Sequence, residues 1–175
     1  LTPDFADDAP WHLVSPADAP GFLQPVAGPL AALKNEVPTP DALDMLVTSR
    51  NHDIKRRRMR DAAADDWLFA LVALQTMEGF LGAGNYGISR MNGGFGNRPG
   101  LSLAPRGGMG AHIMRDVGRL VAARGHVLEA QPHYAPDGLA LLWLVPWDGT
   151  QALNPKMLDP LYIEICRRVR LAAPG

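Results

Sequence analysis

Between Arg50 and Arg60 the chain carries six basic residues, Arg50, Lys55, Arg56, Arg57, Arg58 and Arg60, against the single acid Asp53, a local charge of about +5 in eleven positions. A cluster of that density can neutralise several phosphates lying within a few ångströms. Ser49 and Asn51 add hydrogen-bonding side chains at its start. On charge alone a merely solvated surface loop is the favoured reading. A second unusual region follows, with glycines at 79, 82, 84, 87, 93, 94, 96, 100, 107, 108 and 110 interleaved with Arg90, Arg98 and Arg106. Glycine lets backbone N–H groups approach a phosphate or a groove floor with no Cβ in the way, and the interspersed Arg and Asn supply charge and hydrogen bonds. The candidate contacts here are Gly82, Gly84, Asn85, Gly87, Arg90, Asn92, Gly93 and Gly94. A structural cluster of turns is the competing reading.

Other chemistries fail on spacing. No Gly-Lys-Ser/Thr follows the glycines at the distance a P-loop needs. Gly82-Ala83-Gly84-Asn85-Tyr86-Gly87 has the form G-x-G-x-x-G, but a helix precedes it where a dinucleotide fold requires a strand. His52, Asp53 and Glu78 match no standard metal-ligand spacing. No G-x-S-x-G, H-E-x-x-H or Cys/His nucleophile context occurs. The single cysteine, Cys166, allows neither an internal disulfide nor a multi-cysteine zinc site, and reads as a small apolar core residue. The expectation is a binding protein with no catalytic residue, cofactor or metal.

The elements that would position these residues form an irregular α+β domain with short strands, about three helices and long Gly/Pro-rich loops. Residues 1–41 are rich in Pro, Asp and Ala, a loop-dominated arm pinned by Phe5, Trp11, Phe22 and Leu23. Leu43 to Thr48 reads as a short strand before the basic run. Asp61 to Glu78 predicts a helix, with Leu68, Leu71, Val72 and Leu74 inside and Gly79 past its end. Met109 to Ala123 regains helical period, with Ile113, Val117, Leu120 and Val121 on one face, Arg115, Asp116 and Arg119 opposite, and Gly125 as a stop. Leu139 to Val145 predicts a buried strand. Asp159 as N-cap and Pro160 at the first position open a closing helix, with Leu161, Ile165 and Val169 at four-residue spacing and Arg167, Arg168 and Arg170 on its other side.

With 175 residues and 47% hydrophobic side chains, residues 1–175 fit one globular domain with a real core. A formal charge of −1 gives no overall attraction to a polyanion, so any nucleic-acid contact is local. The longest apolar stretch, Leu139 to Trp147, is broken by Pro146 and far short of a membrane span. The opening Leu1-Thr2-Pro3, without an initiator methionine, reads as a processed product or a piece of something longer.

Four segments in order resemble the large subunit of the type I-E CRISPR Cascade surveillance complex, the CasA family. They are the opening Leu1 to Trp11; Leu46-Val47-Thr48-Ser49-Arg50-Asn51-His52-Asp53-Ile54-Lys55; the run Gln75-Thr76-Met77-Glu78-Gly79-Phe80-Leu81-Gly82-Ala83-Gly84-Asn85-Tyr86-Gly87-Ile88-Ser89-Arg90-Met91-Asn92-Gly93-Gly94; and Leu142-Trp143, Pro146-Trp147, Leu158-Asp159-Pro160 and Ile165 to Arg170. The resemblance implies part of that subunit's N-terminal domain, without the family's C-terminal helical bundle. It further implies a cytoplasmic protein whose partners are crRNA, target double-stranded DNA, the other Cascade subunits and the recruited nuclease-helicase. By position, Thr48 to Arg60 would dock the crRNA 5′ handle, and the glycine-bearing loop within Gly82 to Gly94 would enter the minor groove at the protospacer-adjacent motif. A basic loop suits RNA phosphates, and a Cβ-free loop suits a narrow groove. The alternatives are a protein-only scaffold module and, further off, a hydrolytic enzyme.

Overall fold

The computed structural model describes residues 2, 4–5, 7–28, 33, 35–43, 59–77, 87–88 and 106–173. Three helices and one pair of strands make up its regular structure: α1 (Pro40–Leu43), α2 (Ala64–Met77), α3 (Met109–Ala130), β1 (Leu139–Leu141) and β2 (Leu158–Ile163). The fold is the mixed α+β arrangement that the pattern predicts.

Helix α2 starts where Asp66 Oδ2 reaches back to the Ala63 N–H at 2.8 Å, half of a capping box, with Asp65 and Asp66 in the favourable first turn. It buries Ala70, Leu71, Leu74 and Gln75. Leu71 joins Leu23, Ile88, Leu142, Trp143, Trp147, Leu158 and Ile165 in one apolar core. The loop-dominated arm is held to that core by aromatic contact. Trp143 stands edge-on to Trp11 and Phe22, at 5.3 and 5.6 Å between centroids, and its indole N–H donates to Pro10 O at 3.0 Å. Phe5, expected as a further pin, is half-buried. Leu23 sits at φ 55°, a left-handed conformation costing about 1–2 kcal/mol, in the tight turn that closes Gly21 onto Gln24; its side chain is buried in return.

Three expectations need correction. The closing helix is strand β2, which pairs in parallel with β1, Leu139 opposite Leu158 and Leu141 opposite Ile163. The unequal spans bulge β2 around Pro160, which has no N–H for a ladder. Asp159 does accept the Leu161 N–H, at 2.8 Å, as a cap would, but the chain continues extended because Leu158 and Ile165 are fully buried on either side of it. The strand expected over Leu139 to Val145 stops at Leu141 and turns into a single 3-10 turn, Leu142–Leu144, which drives Leu142 and Trp143 into the core. Finally, α3 does not stop at Gly125 but runs through it to Ala130. The strand expected over Leu43 to Thr48 begins on a residue that closes α1, and its remainder, 44–48, lies outside the described residues.

Candidate nucleic-acid interface

Of the basic run, Arg60 alone among the predicted contacts falls within the described residues; Ser49, Arg50, Asn51, Lys55, Arg56, Arg57 and Arg58 lie outside them. Arg60 is exposed, and the N–H of its neighbour Met59 donates to Asp41 Oδ2 at 3.3 Å. Met59 is thus tied to α1 just ahead of α2, with Arg60 in solvent.

Of the glycine-rich candidates, Gly87 is described, whereas Gly82, Gly84, Asn85, Arg90, Asn92, Gly93 and Gly94 lie outside the described residues. Gly87 is buried. A Cβ there would collide with the Glu164 carboxylate and come within 3.1 Å of Ile165 O. Next to it, the Ile88 N–H donates to Ile165 O at 2.9 Å and Ile88 O accepts from the Leu153 N–H at 2.7 Å. At this position the glycine serves close backbone packing.

On the other side of residues 78–86, Gln75 closes the same joint. This fully buried amide donates to Leu23 O and Arg167 O, both at 2.9 Å, and accepts from the Cys166 N–H at 2.7 Å and the Arg167 N–H at 2.9 Å. Its hydrogen-bonding capacity is filled. The Cys166 thiol donates to Gln75 O at 2.9 Å, so the lone cysteine is a buried core residue, as expected. Gln75 in the last turn of α2 and the pair Gly87 and Ile88 thus meet one stretch, Ile165–Arg167. Neither Gln75 nor Ile165–Arg167 is a predicted site residue. The available signal was an amide one turn after Leu71, on the face that α2 buries.

A second buried amide extends the clamp: Gln24 donates to Leu13 O at 2.8 Å and Phe22 O at 3.2 Å, and accepts from the Leu171 N–H at 2.7 Å. Arg170, expected on an open helix face, donates to Gln24 O and Ser15 O at 3.1 Å, to Ala19 O at 2.5 Å and to Pro16 O. Burial lowers its pKa, opposed by the charge of Asp18. It is a fastener for the N-terminal arm and is not presented to a phosphate. Arg168 is exposed beside Gly149, where a Cβ would lie 2.7 Å from its Nε.

A half-open cleft of about 490 Å³ adjoins Ile88, floored by Val26, Trp147 and Leu153. Asp148 stands at its rim, its pKa held below the ordinary 3.8 chiefly by the Thr150 N–H and hydroxyl. Among the described residues no group of His, Cys, Asp and Glu is placed to hold a metal ion, and no helix is long and apolar enough to cross a membrane. His52, Asp53 and Glu78, which match no standard ligand spacing, lie outside the described residues. No family model, curated protein or solved structure matches this chain.

Proposed function

We propose that this chain is a nucleic-acid-docking part of an RNA-guided antiviral defence complex, contacting the crRNA 5′ handle through the basic run and the protospacer-adjacent motif of duplex DNA through the glycine-bearing segment. Its partners on this reading are crRNA, duplex target, the other Cascade subunits and the recruited nuclease-helicase, all in the cytoplasm. The role is binding without catalysis. The resemblance of four ordered segments to the CasA family supports it. The observation that carries it furthest is the joint at Ile165–Arg167, to which both Gln75 and Ile88 are hydrogen-bonded. Binding segments act with precision when a rigid scaffold fixes their ends.

The test is a comparison of three quantities in the assembled complex: assembly yield on crRNA, affinity for single-stranded target, and affinity for duplex bearing the motif. Gly84→Ala is expected to reduce only the third. Equal losses in all three would withdraw groove reading. Replacing Arg56, Arg57 and Arg58 by Ala is expected to weaken handle binding and flatten a log–log salt slope of roughly −3. An unchanged slope removes the handle assignment.

A protein-only scaffold is the second reading, favoured by Gly87, whose neighbours are Glu164 and Ile165. Salt-independent association with partner subunits and no binding to RNA or DNA would establish it.

A further inference from the structure

Helix α3 is fastened to β2 through its C-terminal half. Arg124 grips Asp159 at 2.5 and 2.9 Å and also donates to Pro136 O, while Val127 and Leu128 are half-buried. Towards its N-terminus, Met109, Ile113, Met114, Val117, Leu120 and Val121 are 52 to 73% exposed. Six such side chains present roughly 500 Å² of apolar surface, near the upper end for a monomer. Two glycines aggravate the cost. Gly118 and Gly125 lie inside the helix with nothing within 4 Å of the position a Cβ would take, so among the described residues nothing uses the space they leave.

We propose that α3 pairs with α3 of a second copy of this chain, as an antiparallel two-helix seam. Read in sevens, Ala111, Gly118 and Gly125 form one line, and Met114, Val121 and Leu128 form the line beside it. Run antiparallel, these lines stack Ala111 on the partner's Leu128, Gly118 on the partner's Val121 and Met114 on the partner's Gly125. Every layer then sets a small residue against a large one, which fills space at a short interhelical distance. Parallel pairing would set glycine on glycine and methionine on methionine. Charge selects the same direction. Arg115 flanks the seam on the side of the partner's Glu129, and because helical side chains lean toward their own N-termini, these two lean toward each other. The pair occurs twice by symmetry, in addition to the Arg115–Asp116 contact at 2.5 Å within each chain. The two-fold also brings each body alongside the other's N-terminal half, on the side of Ile113 and Val117. Two copies would bury on the order of 1,000 Å², the threshold for a specific interface. The inference is independent of the nucleic-acid reading.

Sedimentation velocity on the whole chain tests it, with a monomer–dimer equilibrium expected in the micromolar range. Val121→Glu, at an exposed site, is expected to weaken the dimer about tenfold or more with helicity unchanged. Gly118→Leu is expected to weaken it as well while raising the melting temperature of the dilute monomer, a combination that a single-chain role for this glycine does not produce. Arg115→Glu and Glu129→Arg should each weaken pairing, and together restore it. A chain that stays monomeric at about 100 μM overturns the proposal. So does a dimer indifferent to Val121→Glu, or a monomer held through this face only by another component. Failure of the double swap to restore pairing overturns the antiparallel register.

Discussion

Helix α3 and the stretch Ile165–Arg167 are ordered by opposite means. The helix fills its own backbone hydrogen bonds over 22 residues and buries none of them. Ile165–Arg167 belongs to no helix or strand, yet Gln75 takes up the Cys166 and Arg167 N–H groups and the Arg167 C=O, Ile88 takes up the Ile165 C=O, and Ile165 and Cys166 are almost fully buried. The comparison separates regularity from fixity. A locally self-sufficient element can stand free, whereas an irregular one persists only by borrowing partners distant in sequence.

Removing a borrowed partner should therefore hurt most. Gln75→Leu leaves the Cys166 and Arg167 N–H groups and two carbonyls without their bonds, and is expected to destabilise by about 3 kcal/mol or more in urea unfolding. Val117→Ser on α3, in dilute monomer, should stay within about 0.5 kcal/mol. Equal losses would erase the contrast.

Next in size is Gly87→Ala. The Glu164 side chain can swing away from the new methyl, but Ile165 O at 3.1 Å belongs to the joint itself, so a loss of about 1–3 kcal/mol is expected. Gly84→Ala is its counterpart, predicted to affect duplex binding and not the unfolding midpoint. If the two behave alike in both measurements, the glycine-rich segment serves packing throughout.

On α3 the sign reverses. Gly118→Ala meets nothing within 4 Å and should stabilise the dilute monomer by roughly 0.5–1 kcal/mol through helix propensity, read from thermal melts. Destabilisation would show that the helix is less self-sufficient than its contacts imply.

The smallest effect is at Asp148, where Thr150 bonds lower the carboxyl pKa. A depressed folded pKa contributes stability that is present above the unfolded value and is lost as pH falls through the folded one. Thr150→Val removes the hydroxyl bond at 2.7 Å, so its melting temperature should depend less steeply on pH below about 4 than that of the parent chain. Identical pH profiles would mean that the hydroxyl contributes nothing in solution.

Much of the local structure was legible in the residues. Asp65, Asp66 and the spacing of Leu71 and Leu74 specify α2. The prolines of the arm, with Trp11 and Phe22, specify an irregular segment held by aromatic contact. The helical period of Ile113, Val117 and Leu120 specifies α3, although not its exposure, since an apolar face reads the same whether or not anything covers it. The site was less legible: most of the predicted contacts lie outside the described residues, and Gln75 and Arg170 were unremarkable until their distant partners were known.

The sequence by itself determined that helices α2 and α3 form and that α3 begins at Met109, because periodicity acts within a turn or two of the chain, whereas α2 begins at Ala64, three residues after the expected Asp61. Tertiary structure alone decided the fate of Asp159-Pro160. An aspartate that accepts the N–H two residues on, followed by proline, makes the same local bond in a helix cap and in an extended bend. What chose the strand was the pairing of Leu158 and Ile163 with Leu139 and Leu141, together with Arg124 gripping the other carboxylate oxygen of Asp159. Those contacts come from residues about 20 or more positions away, beyond the reach of any rule that reads neighbours.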